Sequence, residues 1–133
     1  MIYTMMQACK ETGMTYQGLK FYCNEGLVPN VKRDSLNRRI FDQRDIDWIK
    51  SLSCLKKCGM GIQEMKEYTQ LCLEGASTIP ERQKILAQKK LQLEENIAAL
   101  ISSVEYIDKK QEFYEEVLAG KREYFSNLIP CSC

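Results

Sequence analysis

Three groups of side chains in this 133-residue chain are of types that do chemistry. The first is Thr15, Tyr16, Gln17 and Lys20. Hydroxyl, phenol, amide and ammonium groups on one exposed side of a helix reach base edges and phosphate oxygens. The second is Arg33 with Asn37-Arg38-Arg39, where guanidinium groups flank a polar turn. Such forks pair with phosphate. The third is the set of seven cysteines: Cys9, Cys23, Cys54, Cys58, Cys72, Cys131 and Cys133. Cys54 stands out because Lys50, four residues before it, and Lys57, three after it, share its side of a helix. Nearby cations favour the thiolate, the nucleophilic form of cysteine. Cys58, one turn on, is placed to act as a resolving thiol. The plainer alternative is that Cys54 is an ordinary buried cysteine and Cys58 a packing residue.

Helical patterns position these groups. A first helix is expected over about Thr4–Glu11, then a turn at Thr12-Gly13. A second runs over about Thr15–Glu25, capped by Thr15 and closed near Gly26, with Pro29 just beyond. Val31 to Phe41 reads as two short strands around Asp34-Ser35-Leu36-Asn37. Asp42 caps a third helix, and Asp45 sits where a weak capping box would need it. Ile46, Ile49, Leu52 and Leu55 give that helix its apolar stripe, and Gly59 ends it. A fourth helix spans about Ile62–Leu73. A helix-turn-helix followed by a basic hairpin is a winged DNA-binding head.

From Glu81 to about Ala119 neither Gly nor Pro interrupts the chain. Leu86, Leu93, Ile97, Leu100, Val104, Ile107 and Tyr114 recur in alternating steps of three and four, with Gln83, Lys90 and Gln111 as polar interruptions. That is a coiled-coil seam. A helix of about 39 residues is roughly 58 Å long, more than the head can cover, so its seam must meet another chain. The expected organisation is a winged helix-turn-helix domain over 1–73, a linker over 74–80, a coiled-coil dimerisation helix over 81–119 and a short tail over 120–133. The fold class is mainly α.

Net charge is only +1, but it is unevenly spread. Residues 1–60 carry ten Lys/Arg against six Asp/Glu, net +4, and residues 61–133 carry nine against twelve, net −3. A basic head on an acidic body fits nucleic-acid binding at one end. No charged N-terminal segment precedes a long apolar run, and no apolar stretch approaches membrane-spanning length. A cytoplasmic protein without membrane contact is therefore expected, with free thiols rather than a disulfide framework. A thiol enzyme is disfavoured: there is no histidine to act as base, no Cys-x-x-Cys pair and no Gly-rich phosphate loop.

Gly18-Leu19-Lys20-Phe21-Tyr22, Gly26-Leu27-Val28-Pro29 and Asn37-Arg38-Arg39-Ile40-Phe41 occur in this order. Residues 2–73, followed by the long helix, resemble the MerR family of bacterial transcription regulators. That family's head carries a Thr-Leu-Arg-Tyr-Tyr-like run, a Gly-Leu-Leu/Val-Pro run and an Asn-Gly-Tyr-Arg-x-Tyr wing turn. Lys20 stands here for an arginine, Arg38 for a tyrosine, and Cys23 where an acidic residue is usual. The resemblance implies an antiparallel coiled-coil homodimer on a promoter whose elements are spaced too far apart. An effector then twists the DNA so that RNA polymerase engages. Tyr16, Gln17 and Lys20 would probe the major groove, Tyr22 would contact phosphate and Arg39 would anchor the wing on the backbone. For Tyr22, beside Phe21 on a short helix, a core position is the alternative.

Leu52 to Met60 also resembles a branch of the family that responds to aldehydes and thiol stress through one cysteine in that segment, here Cys54. Metal sensing in the family uses a cysteine at the start of the dimer helix, and the matching position falls near Thr78. Cys72, Cys131 and Cys133 can still gather copper(I) or zinc across a dimer, which is the metal-responsive alternative. The favoured expectation is a non-enzymatic, sequence-specific regulator with no cofactor and no metal. It distorts promoter DNA in response to reactive electrophiles or thiol stress sensed at Cys54 and Cys58. Its partners are promoter DNA, a second copy and, through the promoter, RNA polymerase. A coiled-coil adaptor that does not bind DNA is the remaining rival, and the basic wing argues against it.

Overall fold

The computed structural model describes residues 1–130, in two compact units: Met1–Leu91, and a second beginning at Gln92. The first opens with a short strand, β1 (Tyr3–Thr4), and helix α1 (Met5–Thr12). Thr4 ends the strand and caps the helix, exchanging hydrogen bonds with Gln7 in a capping box. Gly13, at φ 76°, turns the chain out of α1, a left-handed conformation that costs an L side chain about 1–2 kcal/mol. Thr15 caps α2 (Tyr16–Asn24), accepting from the Gly18 amide at 3.0 Å. Gly26 ends α2 with paired reverse-turn bonds, from its own amide to Cys23 and from the Leu27 amide to Tyr22.

Strands β2 (Lys32–Arg33) and β3 (Arg39–Phe41) form the wing, and β1 completes an antiparallel sheet in the order β1-β3-β2. Tyr3 pairs with Phe41 and Arg33 with Arg39. The third strand is not expected from the sequence, because two residues carry no readable alternation. Helix α3 (Gln43–Lys57) starts at a complete capping box in which Asp42 and Asp45 each accept the other's amide at 2.9 Å. Helix α4 (Ile62–Glu74) follows the Gly59 turn. Leu19, Leu27, Phe41, Ile46, Ile49, Leu52 and Met65 fill the core between these elements. Trp48 ties α3 to the turn after α2 by donating to the Leu27 carbonyl at 2.8 Å.

A tight 3₁₀ turn (Ala76–Thr78) leads into α5 (Ile79–Leu118), 40 residues with Pro80 in the first turn, where no amide donor is needed. The fold is thus mainly α, with a three-stranded winged helix-turn-helix head and one very long helix. In the second unit, Gly120 closes α5 with the same paired reverse-turn bonds, from Gly120 to Val117 and from Lys121 to Glu116. Arg122 then lies over the Phe113 ring at 5.4 Å.

Candidate nucleic-acid interface and thiol site

Helix α2 buries Leu19 and Tyr22 and leaves Tyr16, Gln17 and Lys20 in solvent. Periodicity explains this division, because positions 19 and 22 lie on one side of a 3.6-residue helix and 16, 17 and 20 on the other. Tyr16 is 46% exposed, a large aromatic surface for a residue in a packed head. Thr15 is exposed as well, but its hydroxyl oxygen is engaged in capping. Tyr22 is 3% exposed and its ring belongs to the core, as the packing alternative expects. Burial raises its phenol pKa. A phosphate contact by Tyr22 would have to use that small residual surface.

The wing tip is organised by Asp34. Its carboxylate accepts from the Leu36 and Arg38 amides, each at 2.9 Å, and from the Arg38 guanidinium at 3.1 Å. The backbone bond from Arg38, together with the others, holds this carboxyl below its ordinary pKa. Asn37 takes the left-handed position at φ 63°, and its carbonyl accepts from Arg33 at 2.9 Å. Arg39 faces the helices and donates to Asn24 Oδ1 at 2.6 Å, which joins the wing to the end of α2. Thr4, Met5, Met6, Tyr16, Arg33, Asp34, Arg38, Arg39 and Ile40 line one groove of about 340 Å³. Tyr16 on α2 and three wing arginines therefore share a surface, while Gln17 and Lys20 continue the exposed side of α2. The roles of Asp34 and Asn24 are not evident from residue type. For Asp34, its spacing four residues before Arg38 is the available signal.

Among the described residues the cysteines are free thiols. Cys54 is exposed on α3, not the buried cysteine that is its plainer alternative, and Lys50 and Lys57 are exposed beside it in the sequence. Cys58 is half-buried and caps the C-terminal end of α3, its amide donating to the Cys54 carbonyl at 3.1 Å. Burial pushes the Cys9 and Cys23 thiols up; at Cys23 the charges of Arg39 and Arg33 oppose it but do not win. Cys72 lies 3.7 Å from an Arg82 nitrogen. Cys131 and Cys133, on which the metal alternative depends, lie outside the described residues. Among the described residues no three metal-ligating side chains come together. No helix of the described residues is long and apolar enough to cross a membrane.

Residues 3–72 match the family model described as MerR HTH family regulatory protein. The chain belongs to the MerR family. This MerR head and helix are 33% identical over 119 residues to an uncharacterized HTH-type transcriptional regulator of Haemophilus influenzae, covering 90% of this chain and 88% of that one. The HTH-type transcriptional regulator AdhR of Bacillus subtilis is 38% identical over 87 residues, 65% of this chain and 62% of AdhR. Among solved structures, HiNmlR, a MerR family regulator lacking the sensor domain and bound to promoter DNA, superposes with a TM-score of 0.76 at 33% identity. That match covers 90% of this chain and 94% of HiNmlR. A MerR family regulator from Bacillus thuringiensis gives 0.73 at 30% identity, covering 86% of this chain and all of that one.

The residues of the expected seam are largely in solvent along α5. Ile97 is 56% and Leu100 66% exposed, and Leu86, Val104, Ile107 and Tyr114 are exposed too. Leu93 is half-buried. A different row faces the head: Thr78, Arg82, Ile85 and Lys89 are buried or half-buried, the last three one position before Gln83, Leu86 and Lys90 of the expected seam. Apolar periodicity does not reveal this row, because two of its four members are charged.

Proposed function

We propose that this chain is a dimeric, sequence-specific regulator that binds and distorts promoter DNA, and that an electrophile or oxidant acting on Cys54 changes that distortion. The observation that carries the DNA reading is the exposed side of α2, Tyr16, Gln17 and Lys20, with Tyr16 lining one groove together with Arg33, Arg38 and Arg39 of the wing. The promoter-bound HiNmlR supports it. In this reading α2 enters the major groove and Arg39, held in place by Asn24, sets the wing on the phosphate backbone. RNA polymerase is reached through the promoter.

Dimerisation is supported by the uncovered seam. Exposed apolar residues repeating over several heptads of one helix are stable in water only when a partner covers them. The antiparallel sense follows from the family. The head over 1–73, a linker over 74–80, the dimer helix over 81–119 and a tail over 120–133 are the functional divisions of this reading.

Cys54 is favoured as the sensor because it is exposed while burial raises the thiol pKa of Cys9 and Cys23, and because Leu52 to Met60 resembles the thiol-responsive branch. Formaldehyde would add to the thiol with the proton passing to the carbonyl oxygen; peroxide would leave a sulfenic acid and water. In this reading Cys58, one turn on in sequence, resolves the latter. Intact-protein mass spectrometry after each treatment, with metal content measured on the protein as purified, tests this. The expected result is one adduct mapping to Cys54, no stoichiometric metal, and a Cys54→Ser protein that binds its operator but no longer induces. Normal induction in Cys54→Ser, with the response abolished when Cys131 and Cys133 are removed, would overturn the reading in favour of the metal-responsive one.

A further inference from the structure

The row that α5 turns to the head carries two charged clamps. Arg82 grips the C-terminal end of α4: its guanidinium donates to the Gly75 carbonyl at 2.8 Å and to the Thr78 hydroxyl at 3.0 Å. The Thr78 hydroxyl in turn donates to the Leu71 carbonyl at 2.6 Å. Two helical turns on, Lys89 reaches the opposite end of α4. Its ammonium lies 2.7 Å from Glu64 Oε2 and donates to the Gly59 carbonyl at 3.4 Å, and its side chain is only 12% exposed. Ile85, between the two clamps on the same row, packs against the core.

The Lys89 clamp is the informative one, because of where it lands. Gly59, at φ 90°, sits in the turn between α3 and α4. The last turn of α3 is held by amides of Cys58, Gly59 and Met60 on the carbonyls of Cys54, Leu55 and Lys56. Glu64 receives the Gly61 amide at 3.3 Å as well as Lys89, and the lysine is the main cause of its lowered pKa. A single ammonium thus joins the end of the helix that carries Cys54, the start of α4 and the side of α5. The pairing of Lys89 with the half-exposed Glu64 carboxylate and its contact with the Gly59 carbonyl are directional, which an apolar contact alone is not.

We propose that Lys89 is a positioning residue that couples the α3–α4 turn to α5, so that a group added at Cys54 is felt by the dimer helix. This rests on Cys54 as the modified thiol, but its test does not need that modification to be the physiological one. Methyl methanethiosulfonate supplies it: the thiolate attacks the reagent's sulfur, a mixed disulfide forms and methanesulfinate leaves.

The experiment is hydrogen exchange of peptides covering residues 82–93, before and after this labelling, with occupancy of Cys54 confirmed by peptide mass. Wild-type protein should change exchange in that segment by about threefold or more on labelling. Lys89→Met, which keeps the aliphatic stem, should abolish the change at equal occupancy, and Lys89→Arg should restore most of it. Glu64→Gln, which leaves Lys89 in place, provides a second variant if Lys89→Met melts early; it should weaken the change. Full transmission in both Lys89→Met and Glu64→Gln, or no change in the labelled wild type, overturns the proposal. Induction that survives Cys54→Ser would instead defeat the sensor assignment and leave the exchange result to stand on its own.

Discussion

Removing Arg39 separates electrostatic anchoring from base reading. Its guanidinium is held at 2.6 Å from Asn24 Oδ1, so it enters the complex already positioned. Each phosphate neutralised by the protein adds about 0.9 to the slope of log affinity against log salt on duplex DNA. A dimer has two wings, so Arg39→Ala should reduce that slope by about 1.8. Over a fourfold rise in salt, wild-type protein should therefore lose roughly tenfold more affinity than the variant. Fluorescence anisotropy on specific and random duplexes across that range measures both. The effect should be similar on the two duplexes, because a phosphate anchor carries no sequence information. Removing the hydrogen bond to Asn24 should cost the fold about 1 kcal/mol, little enough to keep the head intact. Asn24→Ala is the control: it frees Arg39 without removing charge, so affinity should fall while the slope changes less. An unchanged slope in Arg39→Ala would refute the wing-to-phosphate assignment.

Lys20→Ala should weaken binding by roughly 1–3 kcal/mol on the specific site alone, read as a collapsed ratio of specific to random binding. Ile97→Asp with Leu100→Asp should give monomers by sedimentation, with much weaker operator binding because two heads no longer share one event; an intact dimer would place the interface elsewhere. Tyr22→Ala should cost about 3–5 kcal/mol of stability, whereas Tyr22→Phe should fold normally and report through DNA affinity whether the hydroxyl's residual surface touches phosphate. Burial raises the pKa of Asp45 in the folded head despite the opposing Asp42 amide, so the native state holds that proton more tightly than the unfolded chain. Its contribution to stability is therefore present at low pH and lost as pH rises through the folded value. Denaturation of wild type and Asp45→Asn as pH is raised from acid should show the wild type losing ground.

The head is legible in the sequence wherever one residue type has one backbone use. Gly13 and Gly26 stand where the chain must turn left-handed, Thr15 and Asp42 where a helix needs a side-chain acceptor, and each is readable without a partner in view. Strand β1 is not, because Tyr3–Thr4 is defined by its pairing with Ile40 and Phe41, far along the chain. The apolar recurrence through Leu93, Ile97 and Leu100 stands out along the long helix, yet the same recurrence hides the row that α5 gives to its own head. Arg82 and Lys89 look like solvent-facing charges until Gly75, Thr78, Gly59 and Glu64 are brought to them. Within the candidate site, the chemistry of Arg39 and Arg38 is readable but their aim is not. Asn24 and Asp34 direct them, and a hydrogen-bonded orientation leaves only a faint mark in residue spacing.

In the proposed function, two heads of this kind read one promoter element together. Selection from a pool of random duplexes by the wild-type protein, followed by sequencing, tests it without any assumption about the operator. Convergence on an inverted repeat with a fixed half-site spacing is expected, abolished when Ile97→Asp and Leu100→Asp are combined. Enrichment of isolated half-sites, or no enrichment at all, would contradict it.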